Sequence, residues 1–306
     1  MGGADADPER DEVAAEVRAA DPDQSLLARA IRDAFDLLLD GQHTGRYRWD
    51  QLHKTEKTHA GTLVEIGIQR KLGLADGSTL DYSIAGAEVD CKFSHRSGGW
   101  MIPPEAEDQL LLLVQASDAE GTWSAGLIRA REEYLRQAGN RDLKRMLNDT
   151  GRGAIEWLAR GAPLPENALL RLPERDVAAI FGWPKGQQRV NELFRRALGR
   201  RISRAVVATV ARQDDPMKRV RDNGGARGQL RGEGIVIFGD YAAHQMLAGA
   251  LALPQPGPGE FVSARLARRG QGEADRYARC VMIGGCEWVL ARPGEPATEA
   301  PLLPRV

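Results

Sequence analysis

The chain has 306 residues, of which 42% are hydrophobic and 28% charged, and its formal net charge is −1. This is an ordinary globular composition, which excludes collagen-like and wholly disordered chains, and the length allows two domains of about 150 residues. The three cysteines form no C-x-x-C pair, so we expect neither a disulfide scaffold nor a structural zinc site. No apolar run approaches the roughly 20 residues that span a bilayer, which favours a soluble cytoplasmic protein with no membrane partner.

Charge is distributed unevenly along the chain. Residues 1–25 contain eight acidic residues against two arginines, and we expect residues 1–24 to be an acidic, mobile tail. Between residues 195 and 231, eleven Lys and Arg stand against three Asp. A neutral protein with one concentrated basic segment is a candidate for binding a polyanion such as nucleic acid.

Hydrophobic periodicity in the first half predicts a mixed α/β domain. A helix is expected from Leu26, with Ser25 as its N-cap. Further helices are predicted over residues 58–72 and 140–158, and strands over residues 79–84, 87–93, 110–115 and 123–129. The strands and helices together predict a mixed sheet flanked by helices.

The sequence Gly161-Ala162-Pro163-Leu164-Pro165 is the strongest internal breaker of secondary structure. Two prolines in three residues after a helix end are typical of a domain linker. We therefore expect a first domain over residues 1–160, a linker over 161–168 and a second domain over 169–306.

In the second half, helices predicted over residues 173–181 and 185–198 flank the turn Gly182-Trp183-Pro184, which is a helix-turn-helix pattern. Predicted strands at 202–212 and 235–238 enclose a basic, glycine-rich stretch over 217–231. Together they favour a winged-helix DNA-binding domain over an ordinary helical hairpin with a solvated charged face. The residues expected to contact DNA are Lys185, Gln187, Gln188, Arg189, Asn191, Arg195, Lys218, Arg219, Arg221 and Arg227.

A carboxylate and lysine pattern in the first half indicates catalytic chemistry. Asp90 and Lys92 lie two apart on a predicted strand, so both project from one face, and Asp81 lies on the neighbouring strand. This is the spacing of a PD…(D/E)xK nuclease, with Leu80 in place of the usual proline. Glu65, on the preceding helix, adds a further acid. The alternatives are a surface ion pair for Asp90 and Lys92 and a solvated helix residue for Glu65.

These residue types suit cleavage of a phosphodiester. Convergent carboxylates can hold Mg²⁺, which lowers the pKa of a bound water and neutralises developing charge. Lys92 can orient that water and stabilise the phosphoryl group in the transition state. Cys91 alternates onto the opposite face, so only its backbone carbonyl is expected to ligate metal, and Glu88 is a competing acidic ligand on the Asp90 face.

Several separated motifs, in order over roughly residues 25–260, resemble the NaeI-type restriction endonucleases. They are Leu37-Leu38-Leu39-Asp40-Gly41-Gln42-His43-Thr44-Gly45-Arg46-Tyr47, Thr62-Leu63-Val64-Glu65-Ile66, Leu80-Asp81-Tyr82, Glu88-Val89-Asp90-Cys91-Lys92-Phe93, Gly99-Trp100-Met101-Ile102-Pro103-Pro104-Glu105, Asn140-Arg141-Asp142-Leu143-Lys144 and Gln229-Leu230-Arg231-Gly232-Glu233-Gly234.

The resemblance implies a type IIE restriction endonuclease with a restriction-endonuclease-like first domain and a C-terminal helix-turn-helix domain. It implies a homodimer that cuts the palindrome GCCGGC at its centre to blunt ends and is activated by a second copy of the DNA site. When the motifs of the family are matched to this sequence, the resemblance implies that the active-site residues are Glu65, Asp81, Asp90 and Lys92. It implies that Mg²⁺ is held by Glu65, Asp81, Asp90 and the Cys91 carbonyl. Two other functions stay open: a DNA-binding regulator whose nuclease-like half is not catalytic, and a repair nickase.

Overall fold

The computed structural model describes residues 6–137, 141–270 and 279–304. The chain divides into two compact units, one of Met1–Leu38 with Arg48–Pro165 and one of Leu39–Tyr47 with Glu166–Val306. The segment Leu39–Tyr47 therefore belongs to the second unit, although it lies inside the range expected for the first domain. Along the described ranges, no helix is long and apolar enough to cross a membrane.

The helices of the described residues are α1 (Pro8–Ala20), α2 (Ser25–Leu39), α3 (Gly41–Thr44), α4 (Lys54–Leu72), α5 (Asp149–Gly153), α6 (Glu174–Phe181), α7 (Gly186–Arg196), α8 (Arg204–Ala211), α9 (Ala226–Gln229) and α10 (Ala242–Ala250). The strands are β1 (Ala75–Asp76), β2 (Tyr82–Ile84), β3 (Ala87–Ser94), β4 (Leu110–Ser117), β5 (Thr122–Arg129), β6 (Glu156–Pro163), β7 (Arg201–Ser203), β8 (Ile235–Gly239), β9 (Glu260–Arg268), β10 (Val281–Ile283) and β11 (Cys286–Leu290).

The first unit is built on a six-stranded sheet in the order β1-β2-β3-β4-β5-β6, in which only β3 and β4 run parallel. Val89 and Cys91 of β3 face the core formed with α2 and α4, while Leu111 and Leu113 of β4 face a second core around Trp100. The apolar run of β4 is continuous because both faces of that strand are covered. The mixed sheet flanked by helices that the periodicity predicts is confirmed.

The helix predicted over residues 140–158 is wrong. Residues 138–140 lie outside the described ranges, and beyond them only α5 is helical before the chain enters β6, which pairs with β5. The short helix α5 ends at Gly153, a residue type of low helix propensity, and the backbone groups of β6 are then satisfied by pairing with β5. Because β6 extends to Pro163, the first residues of the predicted linker are part of the sheet.

The mobile tail predicted at the N-terminus is wrong for the described residues, since α1 is a helix packed against the sheet. Val13, Ala14 and Val17 on one side of α1 are buried in the core. The carboxylate of Asp7 caps the helix by accepting from the Arg10 N–H, and it also accepts two hydrogen bonds from the Arg129 guanidinium of β5. The prediction from acidic composition was wrong because it did not consider the helical spacing of the apolar residues in this segment.

In the second unit β9 is the central strand. It pairs with β8 on one side and with β7 and β11 at the two ends of the other side, and β10 pairs with β11. The strand predicted over 202–212 is wrong, because only Arg201–Ser203 is extended and α8 follows. Ser203 caps that helix, and Val206, Val207 and Val210 are buried at helical spacing. Tertiary packing here overrides the β propensity of valine.

The basic stretch 217–231 is not the loop of a hairpin. It joins α8 to β8 and contains α9, whereas the antiparallel pair is β8 with β9 and the connection between those strands contains α10. The predicted winged helix is therefore not confirmed in the form that the sequence suggested.

The segment Leu39–Tyr47 packs on α8 within the second unit. A Cβ on Gly41 would lie 2.0 Å from the Thr209 Oγ1, so the close approach of α3 to α8 requires glycine at this position. The Thr209 hydroxyl in turn donates to the Ala205 carbonyl, and this hydrogen bond favours the position of Oγ1 beside Gly41. A motif from the sequence of the first unit thus contributes to the packing of the second.

We predict that Asp7→Asn lowers the free energy of unfolding by about 1–3 kcal/mol at neutral pH, because it removes charge-assisted hydrogen bonds at a buried cap. Hydrogen bonds from Arg129 hold the pKa of Asp7 below its ordinary value, against the opposing effect of burial. This stabilisation is therefore present above the ordinary pKa of Asp and is lost as the pH falls through the lowered folded value.

Urea unfolding of both proteins over a series of pH values measures this difference. The exposed Glu12 of the same helix, changed to Gln, is the matched control and is expected to leave stability nearly unchanged. Equal stability of wild type and Asp7→Asn at neutral pH would contradict the assignment of Asp7 as an anchor of α1.

Candidate active site

The pairing of β2 with β3 brings Asp81 and Asp90 together. Tyr82 is opposite Val89 in this antiparallel pair, so Asp81, one residue before β2, is next to Asp90. Lys92 lies two residues further along β3, and its Nζ is 2.5 Å from Asp90 Oδ2. The predicted grouping of an acid, a second acid and a lysine on adjacent strands is thus present in the fold.

Glu65 reaches the same place from α4. Val64 and Ile68 of this helix are fully buried in the core beneath β3, which fixes the face of α4 that meets the sheet. The Tyr82 hydroxyl donates to the Glu65 carbonyl at 2.8 Å and ties the helix to β2 at the level of the site. Tyr82 was not among the predicted site residues, although it directly follows Asp81 in the motif.

The pKa values of Glu65 and Asp90 are both raised above their ordinary values. Burial is the first cause of the raised pKa of Glu65, and the negative charges of Asp81 and Asp90 add to it, while Lys92 opposes them. The pKa of Asp90 is likewise raised by burial and by Asp81, against the hydrogen bond and charge of Lys92. Three acids close enough to repel one another, with one ammonium among them, form a site that favours binding of a further cation.

Asp81 is oriented by the backbone of the neighbouring strand. The Cys91 N–H donates to Asp81 Oδ2 at 2.7 Å, and the Cys91 side chain points into the core on the other face of the sheet. Burial raises the pKa of that thiol to about 12. The side chain of Cys91 is therefore unsuited to bind metal, whereas its carbonyl lies 3.5 Å from Lys92 Nζ, among the charged groups.

Glu88, the competing ligand in the sequence, does not join these groups. Its carboxylate accepts hydrogen bonds from the backbone N–H groups of Ser78, Thr79 and Leu80 and from the Ser78 hydroxyl. These bonds lower the pKa of Glu88 to about 2. The Glu88 carboxylate therefore forms its hydrogen bonds with the turn that precedes Asp81.

The donor set fits a hard divalent cation. Within the described residues no three His, Cys, Asp or Glu side chains are already assembled as a metal cluster. Mg²⁺ does not need such a cluster, since it usually binds one or two carboxylates together with water and substrate phosphate. The buried Asp90 Oδ2 accepts no well-directed hydrogen bond and lies 2.5 Å from the Lys92 ammonium, which leaves a carboxylate oxygen suited to a cation.

Comparison with known proteins shows the family of this chain. The family model described as restriction endonuclease NaeI matches residues 11–299. The chain belongs to the NaeI restriction endonuclease family. It is 47% identical over 310 residues to the type II restriction enzyme NaeI of Lentzea aerocolonigenes, a match that covers 99% of this chain and 96% of the relative.

In this member of the NaeI family, some of the predicted DNA contacts are exposed. Lys185 precedes α7, and Lys218 follows α8 on the basic stretch; both side chains are at the surface. Arg221 is also exposed and lies 3.8 Å from the exposed Asp215, an ion pair that contributes little to stability. These three cations are available to phosphate groups.

Apart from Gln188, the other predicted contacts have partners inside the protein, and Asn191, which would have to be exposed to contact DNA, is buried. Gln187 donates to Asn191 and to the Arg219 carbonyl, and Asn191 donates to Gln229 of α9. The face of α7 that the sequence suggested for reading bases is therefore packed against α9 and the stretch that leads to it.

The guanidinium groups of the set are similarly occupied. Arg189 donates to the carbonyls at the C-terminal end of α8, and Arg195 forms a bidentate ion pair with Glu233. Arg219 donates a hydrogen bond to Gln213. Arg227 donates to the Ile237 carbonyl and lies over the rings of Tyr241 and Phe261. The Gln188 Oε1 is buried without a hydrogen-bond partner.

The position of Cys91 predicts its reactivity. Since burial raises the pKa of Cys91 to about 12, its thiolate fraction near neutral pH is roughly a thousandfold below that of an ordinary thiol. We expect iodoacetamide to label Cys280 and Cys286, which are half-buried, while Cys91 reacts only after unfolding. Peptide mapping by mass spectrometry, with and without urea, measures this. Labelling of Cys91 in the folded protein at the rate of Cys286 would contradict its placement in the core.

Proposed function

We propose that this protein is a type II restriction endonuclease that hydrolyses both strands of double-stranded DNA in the presence of Mg²⁺. The observation that carries the proposal is the convergence of Glu65, Asp81, Asp90 and Lys92 in a chain that matches the NaeI family along nearly its whole length. A DNA-binding regulator has no need for three mutually repelling carboxylates around an ammonium.

In the proposed reaction Glu65, Asp81, Asp90 and the Cys91 carbonyl would hold the metal. When bound, Mg²⁺ supplies a more acidic water and neutralises charge on the phosphoryl oxygens. Lys92 donates to the non-bridging oxygen of the scissile phosphate and orients the attacking water, and Asp90 keeps its ammonium in place. The Cys91 N–H holds the carboxylate of Asp81 toward the metal site.

Membership of the family supports a palindromic target, GCCGGC cut at its centre to blunt ends. Cleavage of both strands of a palindrome is most simply performed by two active sites related by a two-fold axis, so we propose a homodimer. Its location would be the cytoplasm, where its DNA substrate is met.

We also propose that the second unit binds a second copy of the DNA site and that this binding activates cleavage. The surface cations Lys185, Lys218 and Arg221 support a phosphate-binding surface there. The nuclease unit would exist in a cleavage-competent state and an inactive state. DNA bound at that surface would shift the equilibrium toward the competent state if it binds that state more tightly, and the difference in affinity would set the size of the shift. The helices of this unit would form a helix-turn-helix or winged-helix arrangement around β7, β8 and β9.

Digestion of a plasmid of known sequence with Mg²⁺, followed by mapping of the ends, tests the nuclease proposal. We expect linear product from wild type and a rate lower by at least about 10²- to 10³-fold for Asp81→Ala and Lys92→Ala, because each removes a charge that acts on the reacting phosphate. Both variants are expected to retain DNA binding. Glu120→Ala and Lys71→Ala, in exposed positions of the same unit, are the controls.

Each other function gives a different result in that digest. No cleavage by wild type at any site would favour the regulator, and nicked circles without linear product would favour the nickase. Ends that map to a sequence other than GCCGGC would overturn the proposed target and leave the nuclease proposal intact.

Cleavage of a plasmid with one site, with and without an added oligonucleotide carrying the site, tests activation. We expect stimulation of wild type and its loss in the double variant Lys218→Ala with Arg221→Ala. In direct binding the slope of log K against log salt should become shallower by about 1 for each phosphate contact removed. The exposed Arg175→Ala of α6 is the control. Unchanged stimulation in the double variant would exclude this surface.

A further inference from the structure

The turn between β1 and Asp81 is closed around the carboxylate of a residue on another strand. Glu88, on β3 opposite Ser83, reaches back so that its Oε1 accepts from the Ser78 N–H at 2.7 Å and from the Ser78 hydroxyl at 2.8 Å. Its Oε2 accepts from Thr79 at 3.0 Å and from Leu80 at 2.8 Å. Three consecutive backbone N–H groups thus converge on one side chain, as in an anion-binding nest.

The fit of this turn is tight. A Cβ on Gly77 would lie 2.3 Å from the Leu80 carbonyl oxygen and 2.9 Å from Glu88 Oε2, so only glycine allows the chain to fold over the carboxylate. The Gly77 N–H also lies 3.4 Å from the Asp81 carbonyl oxygen and closes the turn on its other side. Leu80, the last residue held by Glu88, is covalently joined to Asp81.

We propose that Glu88 is a positioning residue for Asp81, acting through the backbone of residues 78–80. The inference rests on the proposed nuclease function. Asp81 has two supports: the Cys91 N–H fixes its carboxylate, and Glu88 fixes the direction from which its backbone arrives. Both supports come from β3, the strand that carries Asp90 and Lys92. A single strand therefore provides two active-site groups and sets the position of the third.

The chemistry of the turn separates positioning from stability. Ser78 and Thr79 are exposed, so water can replace the hydrogen bonds that Glu88 supplies and the unfolding free energy should change little. Water cannot in the same way replace the effect of Glu88 on the position of Asp81. Loss of an outer group that orients a metal ligand typically lowers activity or metal affinity 10- to 100-fold.

Glu88→Gln is the decisive variant, because the amide has the same shape but replaces one accepting oxygen with a donor that faces backbone N–H groups. We expect its cleavage rate to fall about 10- to 100-fold. In hydrogen exchange followed by mass spectrometry, without metal or DNA, the amides of residues 78–80 should exchange faster. The urea midpoint and the affinity for site-bearing DNA should match wild type.

Two further variants test the same contact. Gly77→Ala leaves the Glu88 carboxylate intact but forces the turn apart, and it is expected to give the same loss of cleavage and the same faster exchange. Ser78→Ala removes only the hydroxyl bond and should cost less than about tenfold. Glu120→Gln is the control for loss of an exposed carboxylate.

The outcomes distinguish this inference from the proposed function. If wild type cleaves DNA and either Glu88→Gln or Gly77→Ala cleaves it at the same rate, the positioning role is overturned and the nuclease proposal stands. Slower cleavage by Glu88→Gln with unchanged exchange of residues 78–80 would also overturn it, because Glu88 would then act by another route. No cleavage by wild type would remove the nuclease function on which the inference depends.

Discussion

Repulsion among like charges is the constraint on which the candidate active site depends. Burial raises the pKa values of Glu65 and Asp90, the negative charge of Asp81 adds to both effects, and the fold must supply the free energy that holds these acids together. It does so through the backbone pairing of β2 with β3, through the core beneath α4 and through the ammonium of Lys92. The same unfavourable field is what makes the site suited to a divalent cation and to a phosphate that accompanies it.

Strand β3 organises most of this chemistry. One face of the strand is apolar and is buried beneath α2 and α4, which anchors it in the sheet. The other face carries Asp90 and Lys92, while Glu88 extends from the same face to the turn before Asp81. A rigid central strand with both faces in use positions charged groups more accurately than a loop can, which is the requirement of a site that must align water and phosphate.

In the second unit much of the basic charge serves the fold. The guanidinium of Arg189 caps the end of α8, and Arg195 pairs with Glu233, so neither is presented to solvent as an open DNA contact. Arg195, Arg219 and Arg227 lie between residues 195 and 231 and have partners inside the protein, so the excess of positive charge in that segment overstates the surface available to DNA. Lys185, Lys218 and Arg221 are the predicted contacts whose side chains are exposed.

What the sequence determined by itself is the part that depends on local order: the two-residue spacing of Asp90 and Lys92, the alternation of β3, the amphipathic helix α2 and the helical segment of α4. Tertiary contacts decided the rest. They made a helix of the valine-rich α8, buried Asn191 and engaged Glu88 in the turn before Asp81. Periodicity states which residues share a face of an element, whereas the partner of that face comes from parts of the chain that no local pattern specifies.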